Sequence, residues 1–279
     1  TDVKVVNLSL LRTPWYIKQL KDFKPRIKIG LSDQQIARLR PQRWEKRIVE
    51  ASTPDSLPPM KWQMKPTIQG QYIRVSDLMI WQIINANNWE RPIYFSVTVA
   101  ANNYIGLREA GYLQREGLAY KLHPQKVAVD LAPKKMRNNI LEVYQYRNLA
   151  NPNVHFSQDA RQVVGTYRFN FYQLALHYLQ KEQYKDAVTT FEFMEKNMPE
   201  SVIPHYNRQL SIQFSMLYHR ALKGLSRQTG QDYESLKNQY QGPEEVGAKL
   251  DGILKGEGVS LEEQIQYAQN LIYGLEDYK

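Results

Sequence analysis

Seven side chains in the first half of the chain have the types that line ligand clefts: Trp15, Tyr16, Trp89, Arg91, Tyr94, Glu116 and Tyr120. Aromatic rings offer flat apolar faces to a sugar ring or a peptide side chain, and an arginine and a carboxylate add directional hydrogen bonds. All seven fall at the ends of predicted elements, where a scaffold presents side chains to a ligand. The same residue types serve more often in cores and ion pairs. They therefore mark a candidate carbohydrate or peptide cleft and leave structural duty open. Glu116 stands alone as an acid, with no second carboxylate at a motif spacing to support glycosidase chemistry. No catalytic residue is assigned.

Other chemistries lack their residues. The five histidines, His123, His155, His177, His205 and His219, are scattered and never stand three or four apart, so no metal site is expected. The chain has no cysteine, which removes thiol catalysis, disulfides and Cys-ligated metals together. The loop Ser9–Thr13 follows an apolar alternation and precedes a predicted helix, as a nucleotide loop would. It contains no glycine, so the backbone cannot approach a pyrophosphate closely. Neither a P-loop nor a nucleophile elbow is present. No cofactor is expected.

The elements that must position these residues divide into two halves. Val3–Leu8 carries valines and a leucine on both alternating faces and predicts an interior strand. Thr13 and Pro14 predict a helix start, with Tyr16, Ile17 and Leu20 in the helix. A short helix is expected after Ser32, ending before Pro41. Four prolines in Thr53–Pro66 predict a surface excursion. Tyr72–Val75 reads as a strand, and Asp77 as the cap of an apolar helix over Leu78–Ala86. Asn87–Pro92 reads as a turn and Ile93–Val99 as a strand, with Ile93, Phe95, Val97 and Val99 on one face. Strand, helix, strand at this spacing predicts a parallel βαβ crossover. Leu118–Leu122 adds another strand. The expectation is a small Rossmann-like α/β layer domain over residues 1–150.

From about Lys134 the periodicity is helical, and Asn151-Pro152-Asn153 suggests a hinge. Residues 168–201 follow the 34-residue tetratricopeptide spacing: Phe171, Leu174, Ala175 and Tyr178, then Ala187 and Phe191, then Pro199. Met194 departs from it, standing where a small residue is usual. A long helix over Ile203–Ser226 follows, with a stripe of Leu210, Phe214, Leu217, Ala221 and Leu225. Further helices are expected near Tyr233–Tyr240, Glu244–Leu254 and Ser260–Leu275. The fold class is thus α/β plus all-α, with a tetratricopeptide-like helical domain over residues 151–279. The groove face of the first repeat helix would carry Phe169, Tyr172, Leu176, Leu179 and Gln180. Four of these are apolar or aromatic, so a partner protein, a peptide or the chain itself must cover them. The segment Ile140–Leu149 is the expected cover.

The net charge of +9 is uneven: residues 1–160 carry a net +11 and residues 161–279 a net −2. A basic half suggests an anionic partner or a solvated cationic face. The Lys18–Lys46 region, with Phe23 and Trp44 interleaved, is the candidate contact for an anionic membrane surface. No nucleic-acid recognition module can be matched to it, and no nucleic acid is expected. No apolar run approaches the roughly 20 residues that span a bilayer. The opening residues read as ordered structure with no signal peptide, and Thr1 reads as a cut point within a longer protein.

Three blocks carry a resemblance. They are Asp2–Leu20 (DVKVVNLSLLRTPWYIKQL), Asn87–Phe95 (NNWERPIYF) and Gly106–Leu122 (GLREAGYLQREGLAYKL), followed by YRNLANPNV at Tyr146–Val154. In wording, order and spacing they resemble the C-terminal soluble region of a family of polytopic membrane proteins most often met in Bacteroidota. That family, formerly a domain of unknown function, is related to protein O-mannosyltransferase-like glycosyltransferases. The resemblance covers most of residues 1–205. It implies a parent protein whose membrane bundle transfers a sugar from a lipid-linked donor. It implies that this chain is a non-catalytic tail at the periplasmic face of the inner membrane, binding an acceptor or partner protein. A stand-alone tetratricopeptide scaffold and a small-molecule-binding α/β domain are the competing expectations.

Overall fold

The structure, a computed structural model, describes residues 3–54, 57–205 and 208–243. The helices expected at Glu244–Leu254 and Ser260–Leu275 lie outside these residues. Contacts divide the chain into two compact units, Thr1–Ala132 and Pro133–Lys279. The division falls at Ala132, earlier than the boundary expected near residue 150.

In the first unit Val3–Leu8 forms no strand, which corrects the expected interior strand. Among the described residues no neighbouring strand takes its backbone groups, and apolar alternation without a ladder does not make a sheet. Tyr16 holds the segment instead: its hydroxyl accepts from the Asn7 amide at 2.9 Å and donates to the Val5 carbonyl at 3.4 Å. Helix α1 (Pro14–Asp22) has proline in its first turn, as expected. Helix α2 (Asp33–Ala37) begins with a full capping box, Ser32 with Gln35.

Three short sheets follow, and every ladder between named strands is antiparallel. Strands β1 (Gln42–Arg43) and β4 (Tyr72–Ile73) make one pair. Strands β2 (Arg47–Ala51) and β3 (Met60–Met64) make a hairpin in which Val49 faces Trp62. Strands β5 (Tyr94–Ser96), β6 (Leu113–Arg115) and β7 (Ala119–Leu122) make the third sheet, with β7 in the middle. The expected parallel crossover is corrected accordingly: β4 pairs with β1 and β5 pairs with β7, so the helix between them joins strands of different sheets. That helix, α3 (Val75–Asn87), is apolar on most of its surface and buries Leu78, Met79, Ile80 and Ile84. Asp77 does not cap it. The helix starts at Val75, and the buried Asp77 carboxylate accepts from Arg74 Nε at 2.9 Å and Thr67 Oγ1 at 2.6 Å.

The proline-rich excursion over Thr53–Pro66 is also corrected. Its second half is β3, and Met60, Trp62 and Met64 are all buried. Four indoles staple this unit through backbone carbonyls. Trp44 Nε1 donates to Met64, Trp62 to Ile105, Trp81 to Glu50 and Trp89 to Ser52, at 2.7–3.2 Å.

The second unit opens with α4 (Pro133–Asn138), a π-turn over Asn139–Val143, and then the hairpin α5 (Gln158–Gln180) and α6 (Tyr184–Asn197). Ala175 and Ala187 are fully buried, and the small side chains let the two helices approach. Phe171 and Phe191 fill the space beside them. Arg168, also buried, donates to the Met198 and Ile203 carbonyls at 2.7 and 2.6 Å and so closes the turn after α6. Helix α7 (Arg208–Thr229) packs on α6, with Phe214 edge-on to Phe191. Helix α8 (Tyr233–Gln239) is capped by Asp232.

Candidate functional site

The seven candidate cleft residues divide among three places in the first unit. Trp89 and Arg91 sit on the turn after α3, and each reaches a backbone carbonyl, Trp89 that of Ser52 and Arg91 that of Arg26 at 3.3 Å. Asn88 and Trp89 adopt positive φ there, which fixes the indole toward Ser52. Tyr94, Glu116 and Tyr120 belong to the third sheet. Glu116 hydrogen-bonds Tyr94; burial first, then this carboxylate, pushes the Tyr94 phenol up.

Tyr120 is buried and forms the centre of an aromatic and cationic stack. Tyr104 meets it edge-on at 5.5 Å, and Phe95 meets Tyr104 at 5.8 Å. The guanidinium groups of Arg108 and Arg115 lie 5.2 and 5.7 Å from the Tyr120 ring. Burial pulls the Arg115 guanidinium below the usual arginine range. The negative face of the ring and the Gly117 carbonyl, 3.2 Å from Nε, offset that cost. Such a stack joins β5, β6 and β7 and needs no ligand. Tyr104, Arg108 and Arg115 escaped the sequence reading; the signal for them was Arg115 alternating with Leu113 on a strand whose next turn, Glu116-Gly117, marks a hairpin.

Trp15 and Tyr16 occupy the third place, on α1. Tyr16 serves the N-terminal segment, as described above. Trp15 meets Tyr16 edge-on at 5.6 Å, yet 58% of it is exposed. With Lys18, Gln19, Asp22 and Phe23 it lines an open depression of about 460 Å³. Phe23 is 65% exposed. Trp44, read from the sequence as part of the same basic and aromatic surface, is buried instead, with the Arg47 guanidinium 3.6 Å above its ring.

In the second unit the expected groove face is partly open. Phe169 is 39% exposed and stacks on Tyr172 with centroids 5.8 Å apart. Tyr172 and Leu176 are half-buried, Leu179 is buried and Gln180 is exposed. The expected cover is corrected: the Ile140–Leu149 segment sends Tyr146 onto Tyr167, Phe171 and Phe193. Phe214 of α7 reaches Tyr172 at 5.4 Å. The next helix of the stack therefore takes the covering role, as neighbouring repeats do in helical arrays.

No group of three or more potential metal-ligating side chains occurs among the described residues. No helix among them is long and apolar enough to cross a membrane. Residues 42–143 match the family described as TMEM260-associated domain 2, a transmembrane-protein-associated domain. The match runs from the first residue of β1 to the last of the π-turn. It includes the third sheet and its arginine–tyrosine stack, and it leaves out α1 and the α5–α6 hairpin. No curated protein sequence and no solved structure matches the chain.

Proposed function

We propose that this chain is a non-catalytic, exoplasmic portion of a larger membrane glycosyltransferase-like protein, and that its helical unit holds an acceptor or partner polypeptide. In the bacterial setting that the sequence suggests, its compartment is the periplasm. The observation that carries the binding role is the Phe169–Tyr172 stack. It is a partly exposed aromatic step on α5, with Phe214 of α7 against its Tyr172 end, and the tetratricopeptide-like spacing of residues 168–201 supports a peptide-binding role for this helix. Exposed stacked rings bury area at low entropic cost when a peptide arrives. The family of residues 42–143 supports association with a membrane protein. The link to protein O-mannosyltransferases rests on the resemblance of the three blocks.

The test uses a displayed peptide library. Selection on the wild-type chain enriches peptides, and Phe169→Ser weakens them by about tenfold or more, the equivalent of about 1.4 kcal/mol. Phe169 also stacks on Tyr172, so binding is compared at a temperature where circular dichroism shows the variant fully folded. Peptides indifferent to Phe169→Ser, or no enrichment at all, would overturn the binding role. Sugar transfer from a lipid-linked donor by the purified chain would overturn the non-catalytic reading.

A further inference from the structure

We propose that α1 and the segment before it dock on the headgroup layer of an anionic lipid bilayer, with Trp15 and Phe23 entering the interface. This surface is separate from the helical hairpin, and the proposal does not depend on what that hairpin binds.

The apolar part is concentrated in one stretch of chain. Val3 is 74% exposed and Val5 78%, and Leu10, Trp15 and Phe23 are exposed with them. Three contacts tie parts of this stretch to α1. The Tyr16 hydroxyl holds Val5 beside the helix, and Trp15 stands against Tyr16. Lys4 Nζ donates to the Phe23 carbonyl at 3.3 Å, bringing the N-terminal segment to the far end of the helix. Trp15 and Phe23 line the same depression.

Cations are dense in the same stretch of chain. Residues 1–28 hold seven Lys and Arg and two Asp. Lys18 and Lys21 share Asp33, and Lys28 pairs with Glu90. Lys4, Arg12, Lys24 and Arg26 are in no ion pair among the described residues. Arg26 Nε is held to the Asp22 carbonyl at 2.9 Å, which keeps its charge at the helix end.

Charge decides between occupants. The centre of a protein–protein interface is depleted in lysine, whereas this surface interleaves lysines with its aromatic rings. A second copy seated here by two-fold symmetry would bring one cationic face against another. Tryptophan and phenylalanine set among lysine and arginine match a bilayer interface, where rings rest at headgroup depth and cations meet lipid phosphates.

The purified chain is sedimented with phosphatidylcholine vesicles, with and without phosphatidylglycerol. Binding is expected only with the anionic lipid, weakening as salt rises. Bromine on the upper acyl chain should quench part of the tryptophan emission, and Trp15→Phe should abolish that quenching. Lys24→Glu with Arg26→Glu should lower partitioning by about tenfold or more. All these side chains are at the surface, so the variants keep the wild-type melting temperature. Equal binding to neutral vesicles, no binding, or quenching that persists in Trp15→Phe would overturn the proposal. So would a concentration-dependent dimer that Trp15→Ser dissolves, since the surface would then belong to a second copy.

Discussion

Residue by residue, buried polar groups in this protein are mostly satisfied by backbone carbonyls or a near neighbour, and His123 is an exception with a measurable result. Its Nε2 is buried without a hydrogen-bond partner. Burial first, then the charge of Lys121, holds the imidazole below the usual histidine range, with Glu116 opposing. The folded state thus disfavours the proton that the unfolded chain accepts. The stability tied to this group is complete above about pH 6.5 and is lost as the pH falls through the lowered folded-state value. Melting of the first unit, followed by tryptophan fluorescence, should move to lower temperature between about pH 7.5 and 5.5. His123→Gln should flatten that slope, and an unchanged slope would remove His123 from the account. His177 is lowered for the same first reason, with Lys181 second, but it belongs to the other unit, which holds no tryptophan. Asp77 shows how residue type alone misleads. An aspartate before an apolar run looks like a helix cap, yet only the fold places Arg74 and Thr67 around it as a buried acceptor's partners.

At the scale of elements, helix glycines separate two opposing effects. Gly165 in α5 has open space where a Cβ would go, whereas a Cβ on Gly224 in α7 would run into the Tyr184 ring. Glycine in a helix interior costs about 1 kcal/mol relative to alanine. Overpacking a filled contact costs about 1–3 kcal/mol. Gly165→Ala should therefore raise the thermal midpoint of the helical unit, and Gly224→Ala should lower it, both read by circular dichroism. Shifts of the same sign would mean that α7 does not pack on α6 as described. The helices themselves were legible in the sequence, because caps and 3.6-residue stripes are local signals. A helix follows Ser32, Pro14 stands in the first turn of α1, alanines 175 and 187 are buried between helices, and Phe214, Ala221 and Leu225 of the expected stripe are buried while Leu210 and Leu217 are half-buried. The strands were less so. Prolines 54, 58, 59 and 66 concealed the alternation of Met60, Trp62 and Met64, a clear period-two signal. Val3–Leu8 showed the alternation without a partner strand. Pairing direction is a long-range property, and spacing along the chain could not say that β5 would choose β7. Of the candidate site, exposure of Trp15 and Phe169 was the part sequence could not supply, since an aromatic beside a charge is as often core as surface.

At the scale of the whole molecule, two compact units with separate cores predict two unfolding events. All five tryptophans belong to the first unit and the long helices to the second. Tryptophan fluorescence and far-ultraviolet circular dichroism should therefore give urea midpoints that do not coincide. Superimposable curves from the two probes would mean that the units unfold as one. The same indoles also carry a labelling of the surface. Four of their N–H groups are tied to backbone carbonyls, and among the described residues Trp15 alone has no such bond. In a proton spectrum taken in heavy water, the buried Trp44 and Trp62 resonances should fade on the slow clock of structural opening and those of the more open Trp81 and Trp89 sooner, while the fifth vanishes at once. That fifth signal is a single-atom tag on α1. Its recovery of protection in the presence of a bound surface would report contact at that helix with no added label.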